Sequence, residues 1–474
     1  MRPTQGALLS AWLFSACGTR FATTAELPAG TGGTSATFGG APSCLGGFEQ
    51  RLRVTTVSLG DDIRAKAPAY DLLERDERLA FALDPNGKPR VAWLNNAGNT
   101  VHVSSFELDG SYSAPDITFP SSEVGGLVAG GDGFMLLTSG PDPGDALADP
   151  NADDTPARRA ALLSRFENGA LAFSAPLTGT AQITMAQGNY RRDCTPSELT
   201  GKLASDGQRY GAYFAVHGCL GHPHASFYGD KLVYVNDAGE AQSGGFSWVC
   251  RISEGLALLP QAGAFTSLCM SEGDPQPGLN LVRDDDSQLL SSEAHTRGYV
   301  GAQFGGVVQL DDGGYVIAWL SRGTTDGGGF AEQNPDIALM RVDRDFSIVT
   351  AKTWLTDTPA TAEYNLHIAP YGHNRVLLIW ESIEVDSVLG ETGFGKYAGT
   401  FAQLFDANGS ALSAAELLPA RPSSGDDIAR YANGDLGWAF VPATRNYSRP
   451  FNANAASAEP RGHVLNLARL AYCE

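Results

Sequence analysis

The chain has 474 residues, 43% of them hydrophobic and 18% charged, and a formal net charge of −20. That composition supports a large buried core and excludes a chain kept disordered by its composition. The acidic balance repels phosphate backbones and anionic lipid head groups, which argues against nucleic acid and against a polybasic membrane patch.

The first segment, MRPTQGALLSAWLFSA, sets Arg2 ahead of a largely apolar run from Ala7 to Ala16. This is an export-signal pattern, too short for a permanent membrane span. The ending FSAC resembles the lipobox of bacterial lipoproteins, with Phe14 where that family usually carries Leu, Val or Ile. The resemblance implies cleavage after residue 16 and a lipid on Cys17, so that the chain touches a membrane only through its N-terminus. Gly18 in place of Asp implies sorting to the outer membrane or cell surface; a periplasmic or freely secreted protein is the alternative. Residues 17–43, rich in Gly, Ala, Thr and Pro, read as a flexible tether with a mean span of about 28 Å. Residues 44–474 read as one domain.

An isolated strand pattern, RLRVTTVSL, occupies residues 51–59. The clearest repeating unit begins at Gly305 as GGVVQL, YVIAWLS, DIALMRVD and IVTAKTWL, four short runs of β-branched and aromatic residues parted by turn residues. Call these strands A to D. NLHIAPYG, RVLLIWES, YAGTFAQLF and SALSAAELL repeat the order, and DDIARYA, LGWAFVP and HVLNLARLAYC begin it again before the chain stops one strand short. The end of strand C recurs near Leu108, Phe166, Val235, Arg283, Val342, Phe405 and Leu470, about every 60 residues. The prediction is an all-β, seven-bladed β-propeller, closed by the N-terminal strand supplying the missing strand of the last blade.

With Cys17 set aside, six cysteines remain, and an even number in an exported chain reads as three disulfides. Fifteen pairings are possible; the repeat order selects Cys44–Cys473 across the closure, Cys194–Cys219 in blade 3 and Cys250–Cys269 around the first hairpin of blade 4. DDGGYVIAW and FDANGSAL resemble the hairpins of secreted bacterial seven-bladed β-propeller lipoproteins of uncharacterised function. In blade 3, AYFAVHG, Gly229-Asp230, Leu232, Val235, Gly244-Gly245, Trp248 and Cys250 resemble a group of uncharacterised secreted proteins. These resemblances imply the fold and no activity.

Chemistry-bearing residues fall mainly in long B–C connections at 139–158, 217–230, 322–335, 383–396 and 442–461. Five long insertions on one face point to a ligand-contacting surface. The candidate contacts are His217, His222, His224, Tyr228, Asp230, Asp326, Glu332, Asp386, Glu391, Arg445 and Tyr447. His217, His222 and His224 could supply three zinc ligands, against the plainer reading of a stapled loop. Asp149, Asn151 and Asp153 alternate like the first calcium ligands of an EF-hand, but the glycine and glutamate that complete that motif are absent. No cofactor is expected, with zinc or calcium as the alternatives. Trp93, Trp319, Trp380 and Trp438 recur in strand B and are expected in the core rather than as sugar platforms. GFSWV around Ser247 lacks the second glycine of a nucleophile elbow. The functional expectation is a monomeric, surface-anchored module binding a glycan, peptide or envelope partner. A hydrolase or lyase acting on polysaccharide, or a purely structural scaffold, is the alternative.

Overall fold

The computed structural model describes residues 46–63, 79–95, 97–121, 123–130, 132–141, 159–178, 182–184, 190–194, 201–218, 228–247, 256–261, 264–271, 278–283, 286–293, 295–296, 299–300, 303–321, 334–358, 360–385, 395–423, 428–442 and 463–473. All lie in the compact unit Pro42–Glu474. Among them no helix is long and apolar enough to cross a membrane.

Seven antiparallel sheets of four or more strands follow one another along the chain, with a two-stranded ribbon, His295–Thr296 and Tyr299–Val300, between the fourth and fifth. Blade 5 shows the plan, with strands Gln303–Gln309, Tyr315–Ser321, Asp336–Val342 and Ile348–Trp354 paired in sequence order from inside to outside. The innermost strand of each blade touches those of its two neighbours, and Ala429–Arg430 of blade 7 touches Ala80–Leu83 of blade 1, which closes the ring. The protein is a seven-bladed β-propeller. Leu52–Ser58 pairs antiparallel with Val464–Leu470 and is the outer strand of blade 7, as expected. The other strands of that blade are Leu436–Phe440 and Ala429–Arg430. Six of the seven residues read as strand C ends lie within the last residues of those strands; Leu108 lies just beyond Thr100–Phe106.

Each sheet has two apolar faces, because a blade is covered on both sides by its neighbours. Hydrophobic clusters consequently fill all seven junctions, from Leu137, Ala161 and Phe214 between blades 2 and 3 to Phe48, Leu377 and Trp438 between blades 6 and 7. Trp93, Trp319, Trp380 and Trp438 are all buried in strand B, as the sequence predicts. Inner strands approach closely where they bulge. A Cβ on Gly305 would sit 2.5 Å from Leu366 Cδ2 and 2.9 Å from the Ala318 carbonyl, so this position requires glycine.

The two ends of the strands are built differently. A–B and C–D hairpins share one end and are closed by a repeated side-chain device. Asp84 Oδ1 accepts from the amides of Asn86 and Lys88 at 2.8 and 2.9 Å. Asp343 does the same for Asp345 and Ser347, and Asp406 for Asn408 and Ser410. This is the Asx-turn chemistry that makes DxxG-type strings favour hairpins. B–C connections and blade-to-blade connections leave from the opposite end, termed the loop face.

Several boundaries differ from expectation. Strands in blades 2, 3 and 6 run further than predicted, to Pro141, Gly218 and Val385, and strand C of blade 3 begins at Tyr228. The B–C connections there are therefore shorter than 139–158, 217–230 and 383–396. Strand D of blade 6 is only Glu416–Leu417. Blade 3 gains a hairpin, Gln182–Thr184 with Tyr190–Cys194, that pairs with the upper end of strand B. Its YRRDC strand lacks the apolar alternation that reveals a strand in sequence.

Candidate functional site

Cys17, His222, His224, Asp326, Glu332, Asp386, Glu391, Arg445, Tyr447, Cys44, Cys219 and Cys250 lie outside the described residues, as do the acidic loop from Asp142 to Asp154 and Phe451. Three predicted contacts can be placed, and all three are strand residues of blade 3. Register sets His217 opposite both Tyr228 and Cys194. Asp230 is fully buried, and its carboxylate accepts from the Tyr213 hydroxyl. Asp230 thus lies in the strand Tyr228–Asn236 and is held inside the blade, where a loop position was expected. Burial, and then the Asp230 charge, push the Tyr213 hydroxyl well above the usual phenol range.

Cys269 is buried near the end of Ala264–Ser271, opposite Leu256 at the open end of the first hairpin of blade 4. Cys269 and Cys473 are disulfide-bonded, with partners outside the described side chains.

Sequence reasoning missed the main feature of the loop face. The described residues include six buried carboxylates: Glu123, Asp230, Glu293, Glu363, Glu381 and Asp435. Five occupy the loop-face half of their blades, and only Asp435 lies at the turn end. Burying a carboxylate is costly unless donors converge on it. Each of the three best described is met by its own set.

Between blades 4 and 5, Glu293 follows strand Asp286–Ser292 and accepts from Trp319 Nε1 at 2.8 Å and from the Ser321 hydroxyl. Lys352 Nζ lies 3.0 and 3.3 Å from its two oxygens and 2.7 Å from Ser321 Oγ. The ammonium also sits 4.3 Å from the Trp354 ring centre. Between blades 6 and 7, Asn365 Nδ2 donates to Glu381 Oε1 at 2.7 Å and to the Pro422 carbonyl at 2.9 Å. His367 Nε2 is 3.2 Å from Asn365 Oδ1, and Arg421 Nη1 is 4.0 Å from Glu381 Oε2. Asn365 holds φ of 49°, at the bulge in Thr361–Pro370. Strain of this kind in a non-glycine strand residue costs about 1–3 kcal/mol and persists only where surrounding contacts impose it.

Between blades 5 and 6, Glu363 Oε1 accepts from Thr358 Oγ1 at 2.9 Å and from Thr361 Oγ1 at 3.3 Å. Burial, opposed by the Thr358 bond and aided by the charge of Asp336, raises the Glu363 carboxyl to about 7. In blade 1, His102 stacks on Trp93 with ring centres 4.0 Å apart. Its ring nitrogens lie 3.8 Å from Asp61 and 4.0 Å from Asp116. Burial lowers its pKa, against the two carboxylates, which raise it.

Among the described residues no three His, Cys, Asp or Glu side chains are arranged to hold a metal ion. The arrangement is a rim of paired polar groups beneath the loop face, suited to holding connections in place.

No protein-family model and no curated protein matches the chain. Among solved structures it is similar to an α-L-arabinofuranosidase of Fusarium graminearum in complex with arabinobiose, at TM-score 0.42 and 11% identity over 87% of this chain and 97% of that one. An α-L-arabinanase of Penicillium chrysogenum complexed with arabinobiose gives 0.40 and 10%, over 87% and 98%. A protein of unknown function from Dyadobacter fermentans gives 0.38 and 11%, over 89% and 99%. At these levels the assignment of fold rests on the seven sheets themselves.

Proposed function

We propose that the protein is a binding module whose loop face contacts a glycan, peptide or envelope partner. The observation that carries this reading is the asymmetry between the two ends of the propeller. One end is closed by repeated tight turns, whereas the other concentrates five of the six described buried carboxylates. Departures from the cheapest packing collect where a surface has work beyond folding. The long B–C segments, with Arg445 and Tyr447 among their residues, supply the contacts. Replacing 386–394 and 443–461 by short Gly-Ser linkers should abolish binding to an array of glycans and peptides while leaving the melting transition in place. Unchanged binding would sink the reading.

The same proposal places the chain outside the cytoplasm, tethered through a lipid on Cys17. Cys17→Ser should move the protein from the detergent phase to the aqueous phase in a phase-partition assay; equal partitioning of both forms would contradict the anchor. A polysaccharide hydrolase has one observation in its favour, the carboxyl of Glu363 raised to about 7. Its nearest carboxylate, Asp336, is close enough to interact with it through a hydrogen bond. Paired catalytic carboxylates of glycosidases stand about 5–9.5 Å apart. The binding reading is therefore preferred.

A further inference from the structure

Glu363 is 2% exposed, and its Oε2 atom has no hydrogen-bond partner. It sits near the start of the inner strand of blade 6, where its amide donates to the Pro335 carbonyl at 3.0 Å. The next residue of blade 5, Asp336, brings a second carboxylate to the same junction. Thr358 Oγ1 lies 2.9 Å from Glu363 Oε1 and 3.4 Å from Asp336 Oδ1. A hydroxyl has one hydrogen, so it can serve only one of the two well. Thr358 also gives its amide to Asp336 Oδ1 at 3.2 Å. The pair is thus short of donors, and one member is buried.

We propose that Glu363 and Asp336 share one proton across the junction of blades 5 and 6, making that seam a pH-sensitive joint beneath the loop face. With the proton on Oε2, the Glu363 hydroxyl donates to the Asp336 carboxylate, which gives Oε2 the partner it otherwise lacks. Among the described residues the only charged group acting on Glu363 is Asp336, and it raises the Glu363 pKa together with burial. Ser382 faces Glu363 across the strand pair and is uncharged. Glu381, one rung away, is engaged on the opposite side by Asn365 and Arg421. The joint is a property of the seam whatever the loop face binds, so it stands or falls separately from the binding reading.

The sign of the effect follows from linkage. The carboxyl ionises near its ordinary value of 4.5 when unfolded and at about 7 when folded. The folded state holds the extra proton between those values. Its stabilising contribution is complete below the unfolded value and is lost as pH rises through the folded one, by about tenfold in the folding constant per pH unit at most.

The test is equilibrium unfolding of the full chain across this range, for the natural protein and for Glu363→Gln, whose amide can donate to Asp336 without titrating. The expected result is that the loss of stability with rising pH is shallower in the variant, which becomes the more stable of the two above about pH 7. Parallel curves would overturn the proposal. Calcium chloride stabilising the natural protein at alkaline pH, but not the variant, would also overturn it, by putting a cation where the proton is placed. If the variant does not fold, infrared spectroscopy of the natural protein reads the same group. A protonated carboxyl band that survives above the ordinary carboxylate range and disappears near pH 7 is expected, and its absence overturns the proposal.

Discussion

Arg51 Nη1 donates to the hydroxyl oxygen of Tyr371 at 2.7 Å, joining residues 320 positions apart in the chain. Tyr371 also meets the other chain end, lying 3.2 Å from the Ala471 carbonyl and accepting from the Cys473 amide at 3.2 Å. The Arg51 guanidinium rests 4.7 Å from the Phe48 ring centre, and Phe48 is buried between blades 6 and 7. One phenol thus ties the helical turn Phe48–Arg51, the last strand's exit and blade 6 into a single clasp. Strand pairing closes the ring; this hydroxyl secures the closure from inside.

Replacing Tyr371 by Phe keeps the ring and removes the shared oxygen. Arg51 then loses its charge-assisted acceptor in a buried setting, at an expected cost of about 1–3 kcal/mol. Chemical denaturation should show a lower midpoint with an unchanged slope. A midpoint equal to the natural protein's would mean that the clasp contributes nothing.

The Glu293–Lys352 pair predicts a non-additive result. Lys352→Met leaves the fully buried Glu293 carboxylate without its cation and should cost about 3–5 kcal/mol. Removing both charges, by Glu293→Met with Lys352→Met, should cost less than the sum of the two single changes. A double-mutant cycle by urea denaturation measures this; strict additivity would contradict coupling across the seam.

The acid limb of stability should carry a signature of His102. Burial holds its folded pKa below the ordinary imidazole value of 6.5, so the unfolded chain takes up the proton first. Its stabilising contribution is present above 6.5 and is lost as pH falls through the folded value. His102→Phe preserves a ring against Trp93 and should flatten the pH dependence of unfolding just below 6.5. The same slope in both proteins would assign it to another group.

Disulfide topology can be read directly. Peptide mapping without reduction should recover Cys44–Cys473, Cys194–Cys219 and Cys250–Cys269. The backbone register, with Cys194 opposite His217, brings the first of that pair within two sequence positions of the second. Any other linkage would revise the proposed pairing while leaving the strand order intact.

The repeat was legible because its signals are local. Alternating β-branched residues, Asx turns and the strand B tryptophans each act within a hairpin, and the missing last strand pointed to residues 52–58. The polar rim was not legible, for the opposite reason. Glu293 meets Lys352 across 59 residues and Asn365 meets the Pro422 carbonyl across 57, each between blades, so no local pattern announces them. Asp230 is a similar case: the sequence places it in the 217–230 connection, whereas strand register turns it onto buried Tyr213.

The central claim is that the loop face binds a partner and the turn face is scaffold. It is tested most directly by quantitative glycan- and peptide-array binding of the full chain, the loop-replaced chain lacking 386–394 and 443–461, and a turn-face control carrying Asp345→Lys. The account predicts that the loop replacement abolishes binding with the fold intact and that the control binds like the natural protein. Binding that survives the loop replacement, or is lost only in the control, would contradict it.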